Sequence, residues 1–237
     1  MTSWNRYALY FAPAADSALW RFGCETLGYD AASGADVPQW CPPGFTPEDW
    51  LAATEDPRTY GFHATLKAPF RLAPSREEAE LIAFLADFGR SHAASAPVAC
   101  EVGVAGASPA GGFIAVIPAA GASTEPFAAL EQAIVRQFDP FRAPLVQSDI
   151  ARRMPARLTP SQREQFDRWG YPYCLADFSF HMSLTGRLSD PEPAALALRR
   201  HAEASGAAGP IAIDRLALFR QEPGKRFRII ADAALTG

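Results

Sequence analysis

The sequence has few cysteines and no long apolar run, and both features exclude classes of protein. Its four cysteines, Cys24, Cys41, Cys100 and Cys174, are scattered without a C-x-x-C pair, so neither a disulfide framework nor a structural zinc site is indicated. No apolar run approaches the roughly 18 residues of a membrane span. The first residues, "MTSWNRYALYFAP", lack the cationic and apolar regions of a signal peptide. We therefore expect a cytoplasmic protein that binds no membrane.

The chain also has fewer basic than acidic residues, with 22 Lys and Arg against 26 Asp and Glu. The formal net charge is -4 and the pI is near 5.6, so the chain has no general attraction to a polyanion, and we expect no long nucleic acid as a partner. The 237 residues are 49% hydrophobic and 20% charged, which is ordinary globular composition, enough for one large domain or two small lobes.

Both halves of the sequence repeat one order of elements. The strand-like "RYALYFAPAA" and the helix-like "SALWRFGCETLG", which Gly28 could end, are matched later by "GFIAVIPAA" and "STEPFAALEQAIVRQF". Each half continues with a histidine-bearing strand, a helix and a further strand. We interpret the chain as a single bilobal domain, 1–237, in which 1–106 and 107–237 are internal repeats joined near the small-residue stretch 105–112.

The two histidine strands carry polar residues on one face. In "FHATLKAPF", residues 62–70, alternation places His63, Thr65 and Lys67 together. In "FSFHMSLTGRL", residues 178–188, the same face carries His181, Ser183, Thr185 and Arg187. The opposite faces are apolar, and their phase predicts a core containing Phe62, Leu66, Phe180 and Leu184.

Two facing histidines suit a reaction in which one group takes a proton while another gives one, because the ordinary pKa of histidine lies near neutrality. Displacement at phosphorus is such a reaction. Thr65 and Ser183 would then donate hydrogen bonds to the non-bridging oxygens, where negative charge concentrates. Neither histidine has a third metal ligand at suitable spacing, so we expect no metal and no cofactor.

Two Pro- and Arg-containing segments, about residues 31–60 and 139–176, lead into the histidine strands and are predicted to be irregular loops that could close as lids. The second is expected to contain a short helix near 160–169 with Thr159 as its cap. Beyond the residues needed for one phosphate, cationic and aromatic side chains near the histidines could bind the substrate: Arg58, Tyr60, Lys67, Arg187 and Tyr173, with Arg142, Arg152, Arg153 and Arg157 as lid arginines.

The paired motifs "HATL" and "HMSL", about 118 positions apart, resemble the signature of the 2H phosphoesterase superfamily. The longer strings "DPRTYGFHATLKAPF", "WGYPYCLADFSFHMSLTGRL" and "LFRQEPGKRF" resemble the branch of that superfamily found with phosphonate-degradation operons. The resemblance implies an α+β fold of two pseudo-symmetric lobes, each an antiparallel sheet with helices outside, facing across a central cleft. It also implies metal-independent chemistry by His63, Thr65, His181 and Ser183.

Together, motifs and resemblance predict a cyclic phosphodiesterase, a phosphoric diester hydrolase that opens a small cyclic phosphate on a phosphorylated ribose in phosphonate catabolism. Two alternatives stay open. One is a 2′,3′-cyclic nucleotide or RNA-end phosphodiesterase, and the other is a non-catalytic module that binds a phosphosugar or nucleotide. The expected partner is a small phosphorylated substrate, and the expected oligomeric state is a monomer.

Overall fold

The computed structural model of the chain describes residues 4–147, 150 and 157–237. Its described part contains the α-helices α1 Ala18–Leu27, α2 Pro47–Ala53, α3 Glu55–Tyr60, α4 Glu78–Ser91, α5 Glu125–Gln137, α6 Pro160–Trp169 and α7 Glu192–Ala204. The strands are β1 Arg6–Phe11, β2 Tyr29–Asp30, β3 Ala35–Asp36, β4 Ala64–Phe70, β5 Val98–Ser108, β6 Gly111–Pro118, β7 Met182–Leu188, β8 Gly209–Ile211, β9 Arg215–Gln221 and β10 Phe227–Ala234.

Eight of the strands form one strongly curled antiparallel sheet in the order β10-β9-β1-β4-β7-β6-β5-β8. The strands β2 and β3 pair separately. The α+β class predicted from the sequence is therefore confirmed. The sheet itself differs from the prediction, because the strands of both chain halves join in one sheet where two facing sheets were expected.

The strand order bears on the predicted internal repeat. If β1, β4 and β5 of the first half correspond to β6, β7 and β9 of the second, the order outward from the centre is equivalent on the two sides, β4-β1-β9 and β7-β6-β5. Each side then takes its third strand from the other half of the chain. The stretch 105–112, expected to join the repeats, covers the end of β5, the two residues between the strands and the start of β6, with Ser108 opposite Gly111. We call this stretch the β5–β6 turn. The two-lobe duplication stays a prediction.

Helix ends follow local chemistry that the sequence displays. The Ser17 hydroxyl accepts a hydrogen bond from the Trp20 amide at the start of α1, and Gly28, with a φ of 70°, ends that helix. Thr159 caps α6 through the Gln162 amide, as predicted. The predicted helix ends at Gly28 and Thr159 are therefore confirmed.

The segment 31–60 is more ordered than predicted, since it contains β3, α2 and α3. Thr46 caps α2 through the amide of Asp49, and Pro47 occupies the first turn. Trp50 on this helix is fully buried. A helix of two turns held by one buried tryptophan has too few residues to show a helical period in the sequence.

The predicted phase of the histidine strands is confirmed by burial. Phe62, Leu66, Phe180 and Leu184 are each at most 2% exposed. The predicted lid arginines Arg152 and Arg153 lie outside the described residues. Within the described part of the chain, no helix is both long enough and apolar enough to cross a membrane.

Gly23 of α1 packs directly against the ring of Phe62, so that a Cβ at this position would overlap the ring. We expect Gly23→Ala to lower the free energy of unfolding by about 1–3 kcal/mol, because the buried ring must be displaced. Urea denaturation of the two proteins measures the change. Phe62→Leu in the Gly23→Ala background should restore part of the loss, and an unchanged urea midpoint in Gly23→Ala would contradict the packing argument.

Candidate active site

The two histidines meet at the centre of the sheet. β4 and β7 are neighbours, with Ala64 opposite Met182, and His63 and His181 each immediately precede their strand. Both imidazoles line one cavity with a volume of ≈ 420 Å³. The fold therefore brings together two motifs that lie far apart in the chain.

The cavity wall combines hydroxyl, aromatic and charged groups. Of the residues predicted from the sequence, the structure brings His63, Thr65, His181, Ser183, Tyr60 and Arg187 to this cavity. The wall also contains residues that the sequence reasoning missed: Arg6, Tyr10, Asp56, Phe113 and Tyr171. Two arginines and one carboxylate beside two histidines make a polar site suited to an anionic, hydroxyl-bearing ligand.

The backbone fixes which nitrogen of His63 carries hydrogen. Its Nδ1 lies 2.8 Å from the carbonyl oxygen of Gly61, and because a carbonyl only accepts, Nδ1 must donate. The Nε2 atom, 3.2 Å from Thr65 Oγ1, is then the acceptor of the neutral ring. His63 is thus set up to receive a proton at Nε2.

His181 repeats this arrangement. Its Nδ1 lies 2.9 Å from the carbonyl oxygen of Ser179, again two residues earlier in the chain. The same argument makes Nδ1 the donor and leaves Nε2 as the atom that can exchange a proton. The two motifs therefore impose the same orientation on both rings.

Aromatic packing makes the two histidines unequal. The ring of Tyr10 stacks on His63 at a centroid distance of 3.7 Å, and the rings of Tyr60 and Phe219 lie 6.2 Å and 6.0 Å away. This burial lowers the pKa of His63 to about 4; the hydrogen bond to Gly61 opposes the shift and the positive charge of His181 adds to it. At neutral pH His63 is therefore uncharged. Phe113 approaches His181 edge-on at 5.6 Å.

Three residues predicted to bind substrate lie outside the cavity. Arg58 donates to the backbone oxygens of Leu27 and Leu51, each at 2.7 Å. Lys67 is 4% exposed and pairs with Asp139 at 3.0 Å. In both cases the charged group is bound to other parts of the protein.

Tyr173 lies beside a smaller, adjacent cavity that also has Thr65 in its wall, and Tyr173 is 43% exposed. The substrate-binding roles of Arg58, Lys67 and Tyr173 stay predictions, and none of the three lines the histidine cavity. The alternation that placed Lys67 on the histidine face described its backbone position, but its long side chain reaches the carbonyl oxygen of Val135 on α5. Arg142, predicted as a lid arginine, also pairs with Asp139, at 2.8 Å.

Three of the residues missed by sequence reasoning, Arg6, Tyr10 and Phe113, come from neighbouring strands, whereas Asp56 lies on α3. Arg6 and Tyr10 lie on β1 at even positions, so they share one face, but nothing in the sequence shows that β1 is adjacent to β4. Phe113 on β6 lies opposite Arg187 on β7. Only strand pairing brings these side chains to the histidines.

A buried carboxyl supports the segment that leads to His181. Glu131 on α5 is 1% exposed and accepts hydrogen bonds from the amide of Leu175 at 3.1 and 3.2 Å. Leu175 has a φ of 52°, which is strained for a branched side chain. Burial raises the pKa of Glu131 to about 7, against the opposing effects of the Leu175 amide and Lys67. No feature of the sequence identified this residue.

Among residues 4–147, 150 and 157–237, no group of three or more histidine, cysteine, aspartate or glutamate side chains is arranged to hold a metal ion. The site is thus defined by its two histidines, their hydroxyl neighbours and the arginines of the wall.

An α+β domain with a two-histidine cavity is the class that this fold and site define. A family model described as "Protein of unknown function (DUF1045)" matches residues 65–228. The chain belongs to the DUF1045 family. The match includes His181 and Thr65 and begins two residues after His63. Membership of the 2H phosphoesterase superfamily stays a prediction.

Two curated relatives carry the name ribose 1,5-bisphosphate phosphokinase PhnN. The protein from Janthinobacterium sp. (strain Marseille) is 38% identical over 231 residues, which cover 95% of this chain and 49% of the relative. The protein from Laribacter hongkongensis (strain HLHK9) is 33% identical over 231 residues, covering 94% of this chain and 50% of the relative. The chain spans about half the length of these relatives. Their names support the phosphonate-associated branch that the sequence resembles.

The same names contradict the predicted enzyme class. The sequence analysis predicted a cyclic phosphodiesterase, which is a phosphoric diester hydrolase, whereas both relatives are named as a kinase, which transfers a phosphoryl group. The prediction of a cyclic phosphodiesterase was therefore wrong. It treated a two-histidine arrangement as specific to ring opening, although proton transfer accompanies many reactions at phosphorus.

We expect the imidazole of His63 to remain neutral, protonated on Nδ1, down to about pH 5, because burial lowers its pKa to about 4. Long-range ¹H–¹⁵N NMR spectra of the histidine rings measure both the tautomer and the titration. In the unfolded chain the same ring titrates near 6.5, so His63 should cost stability progressively as the pH falls from about 6.5 to about 4. His63→Gln should remove this part of the pH dependence. A His63 ring that titrates near 6.5 in the folded protein would contradict the expectation.

In Glu131→Gln the side-chain oxygen can still accept a hydrogen bond from the Leu175 amide, but the side chain can no longer ionise. In the unfolded chain the carboxyl of Glu131 loses its proton near its ordinary pKa of about 4.5, whereas in the folded protein it keeps the proton up to about pH 7. The free energy of unfolding of the wild type therefore falls as the pH rises from about 4.5 to about 7. We expect Glu131→Gln to be more stable than wild type by about 1–3 kcal/mol at pH 8. Urea unfolding at pH 8 and pH 5 tests this, and the gain should shrink at pH 5. An equal difference at both pH values would show that Glu131 does not titrate between them.

Proposed function

We propose that the cavity binds a phosphorylated ribose and that its two histidines move protons while a phosphoryl group of this sugar reacts. The observation that carries the proposal is the placement of His63 and His181 on one cavity, each with Nδ1 bonded to a backbone carbonyl. Both reactive nitrogens are therefore Nε2 atoms of oriented rings. Orientation of this kind is what proton transfer to a bound substrate requires.

The cavity wall supports a sugar phosphate as ligand. Arg6 and Arg187 supply positive charge for phosphate oxygens, and Asp56 can accept hydrogen bonds from sugar hydroxyls. The names of the two relatives specify ribose 1,5-bisphosphate as the substrate of those proteins. We extend that substrate class to this chain, together with a role in phosphonate metabolism.

We propose the roles of the two histidines from their unequal surroundings. His63 is neutral within its aromatic enclosure, so it is the proton acceptor for the attacking group. His181 then donates a proton to the leaving oxygen. The hydroxyls of Thr65 and Ser183 donate to the non-bridging phosphate oxygens, where charge accumulates in the transition state. We propose this chemistry without a metal ligand from the protein.

The proposal is confined to the sugar phosphate and its proton transfers, because the chain spans only about half of the named kinases. No G-x-x-x-x-G-K-[ST] motif occurs in the sequence, and we make no proposal about where a nucleotide would bind. The proposed ligand class is therefore ribose that carries at least one phosphate.

We expect ribose 1,5-bisphosphate to bind the protein and ribose not to bind measurably, because the charged wall needs an anionic partner. Isothermal titration calorimetry measures both, with ATP titrated separately as a further ligand. ³¹P NMR of the sugar phosphate, with and without ATP, then shows whether a phosphoryl group reacts. Where it does, His63→Ala and His181→Ala should each lower the rate by about 10²- to 10⁴-fold.

His92→Ala is the matched control for His63→Ala. His92 stacks on Phe88 at 3.7 Å, the same distance as His63 on Tyr10, but it lies at the end of α4 and does not line the cavity. Its removal should leave the rate unchanged. Tight binding without any reaction would instead favour a non-catalytic phosphosugar-binding module, and a failure of every phosphorylated ribose to bind would overturn the proposal.

A further inference from the structure

Arg187 is a cavity arginine whose side chain is held by backbone carbonyl groups. Its Nη1 donates to the carbonyl oxygens of Gly106 and Gly111, at 3.1 and 2.8 Å, and lies 3.2 Å from Ser108 Oγ. All three acceptors belong to the turn between β5 and β6. They are neutral groups, so they orient the guanidinium without cancelling its charge.

The charge of Arg187 has no carboxylate partner within the described part of the chain, where its polar contacts are the three in the turn. Asp56, the carboxylate of the cavity wall, forms no ion pair with it among the described residues. The other cavity arginine, Arg6, is bonded to the side chain of Gln221. An oriented, uncompensated cation at a cavity wall is suited to an anionic ligand group.

Arg187 lies towards the end of β7, whereas His181 immediately precedes this strand. Ser183 is opposite Ala115 of β6 and Arg187 is opposite Phe113, with an irregularity in the pairing between them. Nη1 of Arg187 is tied to the β5–β6 turn, beyond the Ser183 position. A ligand group bound at Arg187 is then different from the one between the histidines.

We infer that Arg187, held by the β5–β6 turn, binds the second phosphate of a bisphosphorylated ribose and so selects it over a monophosphorylated one. This inference rests on the proposed function, since it assigns the first phosphate to the histidines. The inference also gives the small-residue stretch 105–112 the role of holding Arg187, in addition to the predicted role of joining the two repeats.

The glycines of the turn explain why this stretch has small residues. Gly106 and Gly111 have φ values of 59° and 90°, which side chains rarely adopt. A Cβ on Gly111 would overlap the backbone of Leu188 at the end of β7. Small residues thus let the turn approach β7 closely enough for its carbonyl groups to hold Arg187.

The test compares affinities for ribose 1,5-bisphosphate and ribose 5-phosphate by isothermal titration calorimetry. Arg187→Gln should weaken binding of the bisphosphate by about 10- to 100-fold, the usual scale for losing a charged hydrogen-bonding partner. Binding of the monophosphate should change by less than about threefold. Arg187→Lys keeps the charge and should retain part of the preference, and Ser108→Ala should reduce it slightly, because one of three orienting contacts is lost.

Arg199→Gln is the matched control, because Arg199 also donates to a β5 carbonyl, that of Val102 at 3.1 Å, but lies outside the cavity. It should alter neither affinity. A general loosening of the fold would weaken both ligands equally, whereas the inference requires a change in their ratio. If wild type binds both sugars and Arg187→Gln leaves the ratio unchanged, the Arg187 inference fails while the proposed function stands. If wild type binds neither sugar, both fail.

Discussion

The pairing of β4 with β7 is the constraint on which the site depends. These strands meet at Ala64 and Met182, and beyond that point β4 continues along β1 while β7 continues along β6. The cavity contains residues from both sides of this junction. A shift of one residue in either strand would turn its histidine towards the core, because side chains alternate between faces.

Buried aromatic residues hold the junction in register. Phe62 and Phe180 precede the two histidines and are almost fully buried. The ring of Phe180 packs against Phe127 of α5 at 4.4 Å, and Phe62 occupies the space that Gly23 leaves on α1. Each histidine is thus fixed by a large core side chain next to it in sequence. This rigid support is what a site for oriented proton transfer needs.

The two motifs are alike in sequence but differ in their surroundings. His63 lies against Tyr10 of β1, and the corresponding neighbour of His181 is Phe113 of β6. The ring of His63 is stacked and its burial lowers its pKa, whereas Phe113 meets the ring of His181 edge-on. A two-histidine site with unequal partners can divide the roles of proton acceptor and donor, and the reaction it serves is set by the ligand that the rest of the wall selects.

The sequence by itself determined the caps Gly28 and Thr159 and the buried phase of the histidine strands. These follow from local geometry, since alternation and capping depend on residues a few positions apart. The α+β class was implied by the family resemblance, and the repetition of the histidine motif in both halves was visible in the sequence. Only the tertiary structure showed that the strands form a single sheet and that Tyr10 stacks on His63. It also showed that Lys67 pairs with Asp139 and that Arg187 donates hydrogen bonds to the β5–β6 turn. Each of these contacts depends on which strands and helices are neighbours in space. Contacts between residues far apart in the chain produce no periodic pattern in the sequence.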